Sequence, residues 1–164
     1  RVGVGYDIHR FNSAPGPVRL GGVNIPHPKG LAGHSDADVL LHAVADALLG
    51  AIGAPDLGEL FPPVDPRHKG ADSRGFVQEA YRKVRKGGWR VANLDATVIV
   101  DAPRLTPYKA KMRTTISRLL KVRSSDISVK AKTTEGLPPG NRGIAAHAVV
   151  LLARRGRSTR IARR

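Results

Sequence analysis

The stretch from residue 38 to residue 52 most strongly limits how this chain can fold. It is rich in leucine and alanine, and Gly53 and Pro55 follow it. This pattern predicts a helix that begins near Asp38 and ends at about Ile52. Ser35 or Asp36 is expected to cap it, because both residue types favour the N-cap position. Other elements must cover its apolar stripe, which consists of Leu40, Leu41, Val44, Ala47 and Leu48.

The remaining segments alternate between strand and helix patterns. Strands are predicted at residues 1–6, 18–20, 23–25, 90–100, 127–132 and 144–153. A second helix is predicted to begin at a Ser73 cap and a third near Pro107, while residues 56–72 are expected to form a loop. This order predicts an α+β fold, a two-layer sandwich in which a mixed β-sheet is covered on one face by helices.

The chain is predicted to hold one domain, residues 1–153, followed by a basic tail at residues 154–164. Lys and Arg number 28 and Asp and Glu 13, so the formal net charge is +15, and such a chain favours anionic partners. The tail contains no acidic residue, and we expect it to be a disordered, solvated charge run without a specific role. Its arginines are Arg154, Arg155, Arg157, Arg160, Arg163 and Arg164.

Composition and local patterns exclude several classes of protein. The absence of cysteine excludes disulfides, thiolate zinc sites, thiol nucleophiles and iron–sulfur clusters, so any metal must be held by His, Asp and Glu. No apolar run approaches the roughly 20 residues of a membrane-spanning helix, and no membrane partner is expected. The chain begins with Arg1 and shows no signal-peptide pattern, so we expect that it was trimmed, processed or cut from something longer.

One aspartate and two histidines form the first candidate site. Asp7 and His9 are two residues apart at the end of a predicted strand, a spacing that points both side chains to one face. His42 lies in the apolar helix, one turn from Asp38 and one from Asp46, either of which is expected to orient its ring. Three such ligands leave a fourth position open on Zn²⁺, as in catalytic sites, although manganese and iron also fit these donors. The alternatives are a polar surface and a packed helix histidine. Three other histidines are expected to be non-catalytic: His27, His68 and His147.

Residues 130–135 form the second candidate site, at the junction of a predicted strand and a Gly/Pro-rich loop. Lysine and threonine side chains suit phosphate oxygens, and Glu135 suits a Mg²⁺ ion that bridges two phosphates, so a diphosphate is the predicted ligand. Arg142 is expected to reach the same anion. The alternative is a polar strand end without a ligand. No Walker loop, dinucleotide-binding glycine motif or serine-hydrolase elbow occurs.

A series of motifs occurs in the order seen in one enzyme family. They are GYDIHRF at 5–11, AGHSDADVLLH at 32–42, DLGELFP at 56–62, KGADS at 69–73 and KAKTTE at 130–135. Through them the chain resembles the 2-C-methyl-D-erythritol 2,4-cyclodiphosphate synthase family from residue 1 to about 153. Pro63 stands where the family often has Asp, Arg104 where a Lys usually meets the nucleotide, and the loop 136–143 is shorter than usual and lacks its aromatic residue.

The resemblance implies a lyase of non-mevalonate isoprenoid biosynthesis. Such an enzyme converts 4-diphosphocytidyl-2-C-methyl-D-erythritol 2-phosphate to the 2,4-cyclodiphosphate and CMP. A homotrimer with active sites between subunits is implied, with one Zn²⁺ per subunit and Mg²⁺ or Mn²⁺ bound with the substrate diphosphate. The expected location is the cytoplasm in a bacterium, or the plastid stroma in a plant or alga.

The resemblance also implies roles for individual residues. The zinc ligands would be Asp7, His9 and His42. Glu135 would hold Mg²⁺, and His34 and Thr133 would be catalytic residues that support the transition state. Substrate contacts are implied in the N-terminal half for Asp7, Ile8, His9, His34, Ser35, Asp56, Leu57, Gly58, Phe61, Pro62, Pro63, Val64 and Asp65. The second group, around the implied cytidine pocket, consists of Val100, Asp101, Ala102, Pro103, Arg104, Leu105, Thr106, Ala131, Lys132, Thr133, Thr134, Glu135 and Arg142.

Two other classes of function compete with a cyclising synthase. A small basic RNA-binding domain would interleave aromatic residues with Lys and Arg. Only 4% of the residues are aromatic, and they are scattered along the chain, so nucleic acid is not an expected partner. A zinc hydrolase would use the same three ligands to activate water. It would be recognised by an uncyclised product released with CMP.

Overall fold

The computed structural model describes residues 1–137 and 142–155, which contain the following elements. The strands are β1 (Val2–Arg10), β2 (Val18–Leu20), β3 (Val23–Ile25), β4 (Trp89–Ile99), β5 (Ile127–Lys132) and β6 (Gly143–Arg154). The helices are α1 (Val39–Ile52), α2 (Leu57–Leu60), α3 (Ser73–Lys86) and α4 (Lys109–Leu120). Within these residues, no helix has the length and apolar character needed to cross a membrane.

Four strands form one mixed sheet in the order β1-β6-β4-β5. β6 is antiparallel to both β1 and β4, whereas β4 and β5 are parallel. The short β2–β3 hairpin is separate from this sheet. Helices α1, α3 and α4 pack over one face, where the sheet buries residues such as Leu94, Val98 and Val150. The predicted α+β architecture, a mixed sheet with a helical layer, is therefore confirmed.

Strand β1 lies in direct contact with helix α1 because it carries glycine at its inward positions. A Cβ atom added to Gly3 would lie 2.0 Å from the carbonyl oxygen of Ala47, and one added to Gly5 would lie 1.9 Å from that of Ala43. Real Cβ atoms do not approach oxygen so closely, so no other residue fits without moving the strand or the helix. This close approach brings the end of β1 beside the N-terminal half of α1, where the first candidate site lies.

The outer face of the sheet carries apolar side chains that one chain leaves exposed. Val2, Val4, Tyr6 and Ile8 line it on β1, and Val4 is 63% exposed. Val149 and Leu151, the partners of Val4 and Val2 in the antiparallel pair, extend this surface onto β6. Contiguous apolar surface of this kind marks an interaction site in a water-soluble protein.

The helix caps differ from those predicted. Helix α1 is capped by Asp38, not by Ser35 or Asp36, because the buried Asp38 carboxylate accepts hydrogen bonds from Leu41 N (3.0 Å) and also from Gly21 N (2.8 Å) and Gly22 N (2.6 Å). Burial raises the pKa of this carboxyl group. The side chain thus ties the hairpin turn to the start of α1, a long-range role that sequence spacing does not reveal.

The structure also differs from the predictions at the starts of the other two helices and in the loop at 56–72. Asp72 caps α3 through Arg74 N, and Ser73 is the first helical residue. The predicted loop contains the single helical turn α2, capped by Asp56, and a 3-10 turn at Pro66–His68. The last helix begins at Lys109, later than the Pro107 start that was expected.

Candidate metal centre and adjoining cavity

Asp7, His9 and His42 meet at one point, as the first candidate site predicts. Asp7 Oδ2 lies 3.0 Å from His9 Nε2 and 2.9 Å from His42 Nδ1, and the two ring nitrogens are 3.2 Å apart. The two side chains of β1 point the same way because they are two residues apart in a strand. His42 reaches them from the first turns of α1. Among the described residues, these three side chains form a group able to hold a metal ion.

The surroundings of the three ligands favour a charged Asp7 and a polarised His9. Burial raises the pKa of Asp7, but hydrogen bonds from His42 and His9 outweigh it and hold this pKa well below its usual range. Burial lowers the pKa of His9, but the hydrogen bond and charge of Asp7 outweigh burial, and the net shift is upward. His9 Nδ1 lies 2.7 Å from the carbonyl oxygen of Ala32, to which it donates, so Nε2 is left to face the centre.

The acidic neighbours of His42 do not orient its ring, which corrects the prediction for Asp38 and Asp46. Asp38 holds the hairpin turn, and Asp46 accepts a hydrogen bond from Leu57 N at 2.8 Å. The ring instead contacts two hydroxyl groups through Nε2, Ser73 Oγ at 2.8 Å and Ser35 Oγ at 3.1 Å. Sequence reasoning missed Ser73 as a site residue, and its only signal was its position in the KGADS motif.

A cavity of about 340 Å³ opens beside these ligands. Its wall combines the metal-ligating side chains with much of the first predicted substrate group and with apolar rings; Phe61 and Phe76 have ring centroids 4.6 Å apart. The lining residues are Asp7, His9, His34, Ser35, His42, Asp46, Leu57, Gly58, Phe61, Pro63, His68 and Phe76. His68 and Phe76 were not predicted at this site, and Asp46 was predicted there only as a partner of the His42 ring.

Other members of the first predicted group lie near this cavity without lining it. Asp65 caps the 3-10 turn and pairs with Arg67, and its carbonyl oxygen is 3.3 Å from His34 Nε2. Val64 is 89% exposed. Ile8 lies on the outer face of the sheet, Asp56 caps α2, and the carbonyl oxygen of Pro62 accepts a hydrogen bond from His68 at 3.2 Å.

The second predicted group forms a separate cluster at the far edge of the sheet. Val100 N donates to the carbonyl oxygen of Lys132 at 2.9 Å, and Thr134 binds Asp101, so the segments after β4 and β5 lie side by side. Asp7 and Ala131 occupy one row of the sheet, because Asp7 pairs with Ala146, Ala146 with Val98, and Val98 with Ala131. Three strand spacings separate their backbones by about 14 Å.

Glu135 and Arg142 do not belong to the group of candidate metal ligands among the described residues. Glu135 has a left-handed backbone (φ 53°) and accepts a hydrogen bond from the Thr133 hydroxyl. The carbonyl oxygen of Arg142 accepts from Phe11 N at 2.8 Å. Residues 138–141 of the intervening loop lie outside the described residues, as does most of the predicted tail, at 156–164. Arg154 is the last residue of β6, and its guanidinium lies over the Trp89 ring at 4.1 Å.

Comparison with known proteins decides the family. Residues 1–153 match the sequence profile of the YgbB family. The chain belongs to the YgbB family. A protein of Alkalilimnicola ehrlichii is 54% identical over 158 residues, which cover 95% of this chain and 96% of that protein. One of Moorella thermoacetica is 56% identical over 155 residues, 93% of this chain and 94% of that protein. Both are named 2-C-methyl-D-erythritol 2,4-cyclodiphosphate synthase.

Solved structures similar to this YgbB-family chain carry related names. A synthase of that name bound to CDP superposes with a TM-score of 0.86 at 40% identity, covering 93% of this chain and all of the other. A CDP complex from Plasmodium falciparum gives 0.83 at 32% identity, with 95% and 97% coverage. The bifunctional enzyme of Campylobacter jejuni gives 0.89 at 39% identity, and the match covers 94% of this chain and 42% of that one. The resemblance indicated by the motifs is therefore confirmed.

Proposed function

We propose that this YgbB-family protein is a 2-C-methyl-D-erythritol 2,4-cyclodiphosphate synthase of non-mevalonate isoprenoid biosynthesis. Its substrate is 4-diphosphocytidyl-2-C-methyl-D-erythritol 2-phosphate, and its products are the cyclic diphosphate and CMP. The observation that carries the proposal is the convergence of Asp7, His9 and His42 on one wall of a cavity, in a chain whose relatives bear that name.

The donor set fits zinc. The three ligand atoms are 2.9–3.2 Å apart, close to the separation of about 3.3 Å expected between donors about 2.0 Å from a tetrahedral ion. One carboxylate and two imidazoles also match the ligand types of catalytic zinc sites with an open fourth position. When bound, the ion supplies Lewis-acid stabilisation to a phosphate oxygen of the substrate.

The reaction needs positioning more than it needs a protein nucleophile. An oxygen of the 2-phosphate attacks the β-phosphorus of the diphosphate in the same molecule and forms a new P–O bond. The bond from the β-phosphorus to the oxygen shared with the α-phosphate breaks, and CMP leaves with that oxygen. Both reacting groups thus belong to one anionic molecule. The protein must fold that molecule back on itself and neutralise the crowded oxygens. His34 and Ser35, on the cavity wall, hold the erythritol phosphate, and His34 supports the transition state. The segment at 56–58 and Phe61 contact the erythritol.

The nucleotide end of the substrate is held by the segments 100–106 and 131–134. The side chains of Arg104 and Lys132 bring positive charge to this cluster, and Thr133 supports the transition state. Glu135 would hold Mg²⁺ or Mn²⁺, because carboxylates bind such hard cations well, and the ion would neutralise charge on the substrate diphosphate. The hydrogen bonds between Asp101 and Thr134 support a shared nucleotide site, because they hold the segments 100–106 and 131–134 together.

The active form is a homotrimer with its sites between subunits. Two observations support this assembly. The metal ligands and the nucleotide segments lie at opposite edges of the sheet in one chain, about 14 Å apart, so a neighbouring copy must bring the second group to the first. The exposed apolar face of β1 and β6 supplies a surface for such contacts. For a bacterial source, the bacterial relatives support a cytoplasmic location; the plastid stroma is the corresponding proposal for a plant or alga.

Product analysis tests the proposed reaction directly. The purified protein is incubated with the substrate and Mg²⁺, and the products are separated and identified. The synthase gives CMP and the cyclic diphosphate in equal amounts. A zinc hydrolase would give CMP with an uncyclised product and would replace the proposal. Tight RNA binding in a filter assay, with a steep dependence on salt, together with no turnover, would favour the RNA-binding alternative.

Metal analysis tests the proposed centre. We expect about one zinc per chain in the parent protein and strong depletion in His42→Ala. His27→Ala is a matched control, because His27 stacks on Phe11 and bonds Lys29 outside the centre. Equal zinc in the parent and in His42→Ala would rule out the site.

A further inference from the structure

His42 is held in a defined orientation by groups on the side of the ring that faces away from Asp7. Its Nε2 atom lies 2.8 Å from Ser73 Oγ and 3.1 Å from Ser35 Oγ. Ser73 is fully buried, and His42 is 9% exposed. The tautomer of the ring therefore depends on which of these groups donates and which accepts.

The Ser73 hydroxyl has a single hydrogen, and Asp36 takes it. Ser73 Oγ donates to Asp36 Oδ1, and Ser73 N donates to Asp36 Oδ2 at 3.2 Å. Toward His42 the hydroxyl can then only accept. Nε2 must therefore carry a hydrogen. A neutral ring in this form has its lone pair on Nδ1, so Nδ1 can bind the proposed ion in place of its hydrogen bond to Asp7.

Asp36 is in turn held in place by an ion pair. The Arg19 guanidinium, from strand β2, lies 3.0 Å from Asp36 Oδ2 and 2.9 Å from the carboxylate of Asp72. The side chain of Asp36 is 12% exposed, and a carboxylate at such a position is stabilised by a paired cation. Arg19, Asp36 and Ser73 come from three separate segments, so the arrangement exists only in the folded chain.

We propose that Ser73 and Asp36 are positioning residues of the metal centre. Asp36 fixes the direction of the Ser73 hydroxyl, and Ser73 holds His42 in the Nε2–H form that presents Nδ1 to the ion. Groups of this kind, which bond the second nitrogen of a histidine ligand, change metal affinity when they are removed. The inference rests on the proposed metal site but on no property of the substrate.

The test measures the affinity of the protein for zinc alone, in competition with a chelator. Ser73→Ala removes the acceptor of the Nε2 hydrogen, and we expect zinc to bind about tenfold more weakly, at the low end of the usual range for such changes, because Ser35 remains as an acceptor. Ser117→Ala is the matched control. It removes another buried serine hydroxyl, which donates to Thr114 O on α4, and zinc affinity should equal that of the parent.

Asp36→Asn tests the direction of the hydrogen bonds. Arg19 and Ser73 N both donate toward Oδ2 of Asp36, so the amide oxygen of the new asparagine is expected at that position. Its NH2 group then takes the place of Oδ1 and faces Ser73 Oγ. The serine hydrogen would then turn toward His42 Nε2 and favour the wrong tautomer. We expect zinc affinity to fall about 10–100-fold. In the zinc-free protein, the ¹⁵N shifts of the His42 ring, assigned through His42→Ala, should change from the Nε2–H form toward the Nδ1–H form.

Zinc affinity and the ¹⁵N shifts of His42 together distinguish failure of the positioning role from failure of the metal site. Zinc affinity equal to that of the parent in both Ser73→Ala and Asp36→Asn would overturn the positioning role, as would an unchanged His42 tautomer in Asp36→Asn. If Ser73→Ala does not fold, Asp36→Asn and the ¹⁵N signals decide. A parent protein that binds no zinc would overturn the proposed metal site itself.

Discussion

The carboxylate of Asp101 accepts two hydrogen bonds from Thr134, one from the backbone N–H at 2.8 Å and one from the hydroxyl at 2.7 Å. Asp101 follows β4 and Thr134 follows β5, so this contact joins the ends of two neighbouring parallel strands. Both residues belong to segments for which the family resemblance implies nucleotide contacts. The contact therefore sets the shape of the proposed cytidine pocket before any ligand binds.

Replacing Thr134 by valine is expected to weaken CDP binding. Valine keeps the shape of threonine but loses the hydroxyl, and a hydrogen bond to a charged group is worth roughly 1.5–3 kcal/mol. Without this hydrogen bond the pocket is less ordered before CDP binds. A loss of about 1.4 kcal/mol in binding free energy corresponds to an affinity for CDP that is about tenfold lower. Calorimetric titration with CDP measures it. Thr114→Val, on α4, removes a hydroxyl that donates to Ala110 O and serves as control; equal CDP affinity in the two variants would contradict the prediction.

The contact between β1 and α1 gives a second prediction, for Gly5→Ala. The added Cβ would lie 1.9 Å from the carbonyl oxygen of Ala43, so the strand and the helix must separate. Overpacking of this kind typically costs 1–3 kcal/mol of folding free energy, occasionally more. Because β1 carries Asp7 and His9 while α1 carries His42, zinc affinity should fall as well.

Gly75→Ala is the matched control for that variant. Gly75 lies in α3 with no atom near its added Cβ, and alanine in a helix is favoured over glycine by about 1 kcal/mol. Chemical denaturation should show Gly75→Ala at or above the parent stability and Gly5→Ala below it. A Gly5→Ala protein with parent stability and zinc affinity would show that the two elements do not need this close approach.

The sequence predicts the candidate metal site well because the signals of its three residues are local. Asp7 and His9 are two residues apart in a strand, and His42 stands out as a polar residue in an apolar helix. The strands and helices of the sheet layer were predicted for the same reason, since each has its own periodicity. Local signals do not show which chain segments meet, and the errors at Asp38, Asp46 and Ser73 are of that kind.

Two particular residues illustrate the limit. Asp38 has the spacing of a partner for His42, but its carboxylate is taken by the backbone of Gly21 and Gly22, which lie far from it in sequence. Ser73 has the properties of a helix cap, but Asp72 caps the helix and Ser73 contacts His42 instead. In both cases the polar side chain binds a group that is distant in sequence instead of the nearby partner that the local pattern predicts.

The pH dependence of zinc binding follows from the environment of His9. The hydrogen bond and charge of Asp7 raise the pKa of His9 in the zinc-free protein, in spite of burial, which lowers it. A protonated imidazole cannot bind zinc, so affinity is lost as the pH falls through this raised pKa. The loss should therefore begin at a higher pH than the ordinary imidazole value of about 6.5 implies. Chelator competition between about pH 5 and 8 measures it.

The zinc-free protein should show the opposite dependence in its stability. A raised pKa of His9 contributes stability that is fully present below the unfolded value of about 6.5 and is lost as the pH rises through the folded value. Thermal unfolding with a chelator present should thus give a melting temperature that falls as the pH rises through this range. Asp7→Asn removes the source of the shift and should flatten the change; an identical pH profile in that variant would show that Asp7 does not raise the pKa of His9.

A charge on the exposed face of the sheet should separate assembly from metal binding. Val4 is 63% exposed and pairs with Val149 on the same apolar face. If this face is buried between subunits of the proposed trimer, the carboxylate of Val4→Glu would lose its hydration without a partner, and the trimer should dissociate. The metal ligands all come from one chain, so the monomer should keep the zinc affinity of the parent. Turnover should be lost, because the nucleotide segments of a neighbouring copy are no longer present.

Light scattering, zinc titration and product analysis on one preparation measure the three properties together. Gln78→Glu adds the same charge on the exposed side of α3 and should leave mass, zinc affinity and turnover unchanged. A Val4→Glu monomer that retains full turnover would mean that one chain holds the complete site. That result would be incompatible with the distance of about 14 Å across the sheet between the candidate metal ligands and the nucleotide segments. Rearrangement of side chains alone cannot close such a gap.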